Sequence, residues 1–163
     1  QLSFDIDVSA TDVDNSVVTT SFGSLFAGTV TDSAEKIWVD LDTNGENGGK
    51  VYVYSSNAGL ASTRASYTIG AVTGNLSALS EGFGAQGSTA TQSSGGTFTI
   101  APTYSLSSNN VAVTNATIRE IFTVSAPVTA ARGSFLLKAK SSAVTPAASD
   151  YTETLTVIAS ASF

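Results

Sequence analysis

Apolar and polar residues alternate strictly from the start of the chain. Leu2, Phe4, Ile6 and Val8 are interleaved with Ser3, Asp5, Asp7 and Ser9. Period two places the four apolar side chains on one face of a β-strand and the polar ones on the other. Thr11, Asp12, Val13, Asp14 and Asn15 then break the pattern. The break divides the chain into a first strand at 1–9, a hinge at 10–15 and a folded body at 16–163. A strand with its own hinge has two destinations: its own sheet, or an unpaired sheet edge on a neighbouring molecule.

The same period recurs along the body. Ser16 to Ser21 is a β-branched run, and Phe22 to Val30 carries Phe22, Leu25, Phe26 and Val30 around two glycines. Glu35 to Asp42 sets Ile37, Val39 and Leu41 against Lys36, Trp38 and Asp40. A turn at 43–49 and a second alternating run, with Val51 and Val53 opposed to Tyr52 and Tyr54, read as a hairpin. Residues 57–66 read as irregular, Tyr67 to Gly70 as a short strand, and Gly82 to Gly96 as a long exposed loop of Gly, Ser, Thr and Gln. Strands are expected again over 97–103, around Val111 and Val113, over 118–125 and over 133–140. The closing stretch places Tyr151, Leu155, Val157, Ala159, Ala161 and Phe163 on one face. No helical period runs beyond about two turns. The pattern predicts an all-β fold: a single, mostly antiparallel β-sandwich of immunoglobulin-like or jelly-roll-like kind, with the first strand donated to a neighbour.

Composition narrows the chemistry. The 163 residues include no Cys, no His and no Met. Disulfides, thiolate metal sites and the triads built on His or Cys are therefore excluded. The missing Met is expected to reflect removal of a secretory signal, leaving an extracellular chain that begins at Gln1. Charged residues make up only 12% of the chain, and the net charge is −6. That balance argues against nucleic acid and against anionic membrane surfaces. No apolar run approaches the roughly 20 residues of a membrane span. The glutamates Glu35, Glu46, Glu81, Glu120 and Glu153 show no spacing that singles out a catalytic pair. Gly82-Phe83-Gly84 lacks the lysine of a phosphate loop. No enzymatic activity is expected.

The Leu2/Phe4/Ile6/Val8 arm and the closing Tyr151–Phe163 strand resemble donor-strand-complemented pilus or fimbrial subunits of bacteria and archaea. The run from Tyr151 to Val157 is similar to the endings of many secreted bacterial β-sandwiches. Thr43-Asn44-Gly45, Gly49, Val51, Val53 and Gly59-Leu60 resemble stretches of surface-exposed bacterial β-proteins. Each match is short. The resemblance implies a homopolymer of identical subunits, built by head-to-tail strand exchange.

Other residues carry candidate sites. Asp40, Asp42 and Asn44, followed by Gly45, match the first half of a calcium loop, but Val51 stands where a bidentate Glu belongs. A hairpin turn explains the same residues. Asn75-Leu76-Ser77 and Asn115-Ala116-Thr117 are glycosylation sequons. Trp38, Tyr52 and Tyr54 on one outward face would form an aromatic strip of the kind that holds sugar rings, or else pack internally. Arg119, Glu120, Lys138 and Lys140 read as solvated strand faces. Two functions follow from these features. One is the structural subunit of an extracellular filament. The alternative is a monomeric secreted binding module, dependent on carbohydrate or calcium, with its first strand folded at home. A viral coat or tail protein would also assemble, without needing the arm.

Overall fold

The computed structural model describes residues 1–163. Its strands, in chain order, are β1 (Leu2–Ser9), β2 (Val30–Asp32), β3 (Lys36–Thr43), β4 (Gly49–Ser55), β5 (Gly59–Ser62), β6 (Tyr67–Gly70), β7 (Gly74–Asn75), β8 (Gly82–Thr91), β9 (Ser94–Gly95), β10 (Thr99–Ile100), β11 (Asn110–Val111), β12 (Arg119–Val124), β13 (Val128–Lys140) and β14 (Leu155–Ala161). The fold is all-β, with a curled antiparallel sheet and no helix. In the larger sheet β13 is paired along both edges. It meets β3 and β2 on one side and β8 and β9 on the other, while β1 adds to the far edge of β3. A smaller sheet runs in the order β10-β12-β4-β14, and β5 with β6 and β7 with β11 form two short pairs.

Alternation explains which faces meet. Val39 and Leu41 from β3, Val51 and Val53 from β4, Ile121 and Phe122 from β12, and Phe135 from β13 fall in one buried cluster. At its centre the Phe122 ring stacks on Phe98 at 5.2 Å between centroids and tilts against Phe135 at 6.5 Å. Such ring pairs add to the large apolar area that each aromatic buries.

Several sequence expectations are corrected. β3 and β4 do not form a hairpin: β3 lies in the larger sheet and β4 in the smaller, so the turn between them crosses from one sheet to the other. The alternation is right for both strands, but a turn's composition does not say which partner each strand takes. Trp38 is consequently separated from Tyr52 and Tyr54, and the aromatic strip does not form. Ser16 to Ser21 and most of Phe22 to Val30 hold no strand, only β2 at the end of that stretch, whereas the expected irregular region at 57–66 contains β5.

The expected loop at 82–96 is largely β8, and its first six residues are buried. Its glycines are the physical reason. A Cβ at Gly84 would come within 2.8 Å of the Ala112 carbonyl oxygen, and one at Gly87 within 2.4 Å of Ile100. At Gly84 and Gly87 strand β8 is pressed so closely against its neighbours that no side chain fits. Lys138 and Lys140 are also buried rather than solvated. Lys140 Nζ donates to the carbonyls of Leu76, Ser77 and Leu79, and Lys138 Nζ pairs with Asp32. Their strand is covered on that face too, so the charges are buried with partners.

Phe122 is the side chain on which both sheets close. Phe122→Ala is expected to destabilise the fold by about 3–5 kcal/mol, read as a lower urea midpoint.

Candidate functional site: the slot of the first strand

Strand β1 is the element whose placement bears most directly on function. In the single chain it pairs antiparallel with β3, in a register running from Leu2 opposite Thr43 to Ser9 opposite Lys36. Val8 is buried, Phe4 and Ile6 are half-buried against the core, and Leu2 is 40% exposed. The apolar face expected from the alternation thus points inward, and it becomes less covered towards Leu2. β1 has no strand on its other edge. The Val8 N–H turns outward to the Val17 carbonyl at 3.1 Å. By period two the main-chain groups of Ile6 and Phe4 turn the same way, towards an unpaired edge.

The polar face is pinned by charge. Asp7 is fully buried. One of its oxygens accepts from the Asn15 N–H at 2.8 Å, and the other accepts from Arg132 Nη1 at 2.8 Å. Arg132 lies on β13, directly across from Asp40 of β3, which in turn lies across from Asp5 of β1. Its guanidinium also pairs with Asp40 and, through Nε at 2.7 Å, with Asp12 of the hinge. The Trp38 ring lies 5.3 Å from the guanidinium carbon, and its Nε1 donates to the Ser9 carbonyl at 3.1 Å. The Asn15 side chain donates to the Val8 and Val13 carbonyls and accepts from the Val17 N–H. Residues 10–17 are therefore folded back over the end of β1.

The carboxylates outnumber the cation they share. Asp5, Asp7 and Asp14 bring oxygens within 4.8 Å of one another, and Asp12 and Asp40 join them through Arg132. Burial pushes the Asp7 carboxyl up, but the Asn15 N–H and the Arg132 guanidinium outweigh it and hold Asp7 below its ordinary value of 3.8. For Asp40, burial has the largest effect. With the neighbouring Asp7 and Asp12 charges it outweighs Arg132 and raises that carboxyl. Burial lowers the Arg132 value, but the bonds to Asp7 and Asp12 reverse this and raise it.

The other candidate residues are placed as follows. Asp40 bonds Arg132, Asp42 accepts from the Ala130 N–H at 2.7 Å, and Asn44 accepts from Gln1 N. The three expected calcium ligands are thus each occupied by a different protein group. The acidic residues that do converge are Asp5, Asp7 and Asp14. Asp5 and Asp7 share one face of a strand, which the alternation made visible, but the arrival of Asp14 depends on how the hinge folds. Asn75 is exposed on β7 and its side chain accepts from the Ser77 N–H, while Asn115 is half-buried and accepts from Thr117 and Arg119.

A groove of about 1320 Å³ opens beside β1. Ile6 and Val8 form one wall, Leu155 and Val157 of β14 another, and Phe22 and Leu25 from the irregular segment partly cover it. β14 is the edge of the smaller sheet. The Thr154 carbonyl accepts from Ser56, and Ser162 N–H donates to Gly48, both beside β4. By alternation the main-chain groups of residues 155, 157, 159 and 161 face away from β4, unpaired. The groove therefore separates two free strand edges. No protein-family model, no curated protein and no solved structure matches this chain.

The buried pair sets a pH dependence. Asp7 has a folded value below its ordinary one, so its contribution is complete above pH 3.8 and is lost as pH falls through the lower folded value. Asp40, with a raised value, acts in the opposite sense: protonation relieves its unfavourable charge. Asp7→Asn is expected to lower stability at neutral pH by on the order of 3 kcal/mol, because Arg132 loses a buried partner. The deficit relative to the unmodified chain should shrink as pH falls below 3.8 and through the lowered Asp7 value, where the unmodified chain loses the same contribution. Urea midpoints measured across that range check both statements.

Proposed function

We propose that this chain is the structural subunit of an extracellular filament, a homopolymer in which Leu2 to Val8 of one subunit pairs with the sheet of the next. In this reading the body is a single β-sandwich left open on the side of the groove, and residues 10–15 are the hinge that lets the arm cross. The observation that carries the reading is the position of β1. It is an edge strand paired with one neighbour, β3, and no strand pairs with its outer side, where only Val17 and Asn15 bond, at Val8. Leaving the sheet breaks one ladder together with the side-chain bonds to Arg132 and Trp38.

Three further features support it. The arm presents Leu2, Phe4, Ile6 and Val8 at the spacing that strand addition reads, with main-chain hydrogen bonds giving affinity and alternate side chains giving register. Full burial of such side chains contributes about 1.5–3 kcal/mol each, so an arm taken up by a neighbour has a substantial apolar term. The chain also exposes two unpaired edges flanking one apolar groove, the arrangement on which strand addition and head-to-tail growth depend. Its sparse charge suits close packing of identical subunits.

Negative-stain electron microscopy and sedimentation of the chain beside a version lacking residues 1–9 test the reading. Filaments from the first and none from the second are the expected result. If both polymerise, assembly runs through another surface. If the full chain stays monomeric, the filament reading fails. The groove then becomes the ligand site of a secreted binding module, to be titrated with glycans and Ca²⁺.

A further inference from the structure

We propose that Arg132 is the identity key of the β1 slot, and that the strand the slot takes from outside is β1 of a second copy of this chain. The proposal rests on the strand-exchange reading above and adds where the arm goes and what selects it. Two free edges compete for an incoming arm once a subunit's own β1 has swung out: the vacated edge of β3, and β14. Both offer main-chain groups and an apolar floor. They differ in charge. The arm carries Asp5 and Asp7 on its polar face, and β14 over Leu155–Ala161 has no charged residue at all. The β3 edge has Arg132 beneath it, 15% exposed and aimed at the position opposite Trp38.

The slot is demanding because the guanidinium does not relax into solvent. It is held from below by Asp40 and under the Trp38 ring. A strand with an apolar or amide group at the Asp7 position leaves a buried cation short of a partner, which is costly. A strand with a carboxylate there forms a charge-assisted bond. Asp5 does not substitute for it, since Asp5 is exposed and has no bond to Arg132. The arm of an identical chain satisfies every requirement, because it remakes between molecules the contacts β1 makes at home. Exchange of an identical element is a low-cost route to assembly for that reason.

The absence of cysteine allows a direct test. One full-length preparation carries Leu2→Cys and a second, tagged to differ in mass, carries Thr43→Cys. These two positions face each other across the β1–β3 ladder, within the reach of a disulfide. After the two are mixed, assembled and oxidised, a disulfide between unlike chains is expected, formed through an exchanged arm. Adding Asp7→Asn to the Leu2→Cys chain should lower its yield about ten- to a hundredfold, while Asp5→Asn, which keeps the Asp7–Arg132 bond, should not lower it. Arg132→Lys in the acceptor, which keeps the cation but loses the fork, should give an intermediate yield and guards against a variant that merely misfolds. Filaments in the microscope without the mixed disulfide would leave the filament reading standing and overturn the β3 slot as acceptor. A mixed disulfide indifferent to Asp7→Asn would overturn Arg132 as the key. Neither filaments nor disulfide would remove both.

Discussion

Strand β13 is hydrogen-bonded along both edges, and most of the molecule is arranged by that constraint. Its 13 residues pair with β3 and β2 on one side and with β8 and β9 on the other. A strand so placed is covered on both faces and cannot shift register without breaking two ladders at once. One inward face carries Phe135, Leu137 and Ala139 into the core. The other carries Arg132, Lys138 and Lys140, three cations held among carboxylates and carbonyls. The slot of β1 therefore has its cation on a strand held by ladders along both edges. Arg132 is fixed by the most constrained strand in the fold, whereas β1 itself is held by a single ladder. This asymmetry, a doubly paired strand beneath an edge strand, is what the proposed strand exchange depends on.

Strands with strong alternation were legible from sequence because one face is buried and the other is not. β1, β3, β4 and β14 show this pattern, and in each the apolar set points to the shared core. β8 was not legible because its partners demand smallness. Gly82, Gly84, Ala85 and Gly87 carry almost no hydrophobic signal, yet they lie buried where backbones approach most closely. Composition that usually marks a loop here marks contact. The opposite error occurred at 16–30, where Val17, Val18, Phe22 and Phe26 look like strand residues. Val17, Val18 and Phe26 are exposed, while Phe22 and Leu25 pack against the core, Phe22 with an edge contact to Phe83 at 6.2 Å. Apolar content without a pairing partner does not make a strand.

The slot was half legible. The arm's apolar face and the acidic pair Asp5 and Asp7 follow from period two alone. The cation does not, because Arg132 is 125 residues away from Asp7 in the chain and no local pattern joins them. Asp40 was noticed for a different chemistry. Its spacing with Asp42 and Asn44 suits an oxygen-ligand loop, but that spacing also describes alternate residues at the end of an ordinary strand, here bonded to Arg132, Ala130 and Gln1. Long-range electrostatic partners are the feature that single-sequence reasoning reaches least well, since burial selects them after the sheet order is set.

The buried pair and the weak edge work together. An edge strand held only by apolar contact would slip or pair indiscriminately, because the alternating face tolerates displacement by two residues. A strand held only by charge would be loosened by salt, since Asp12 and Asp40 are accessible and screened. In β1 an apolar face is combined with the Asp7–Arg132 bond, which lies at a point that solvent does not reach, and the proposed discrimination rests on that bond. Residues 10–15 contribute to the same balance: Asp12 bonds to Arg132, and Asn15 bonds to Asp7 of β1 itself. Under the proposed exchange, an arm that crosses to a second molecule would keep the Asp7–Arg132 bond but would have to reposition the contacts of residues 10–15. The difference between the two proposed states would then reduce to the conformation of residues 10–15, because the strand contacts themselves would be the same in both.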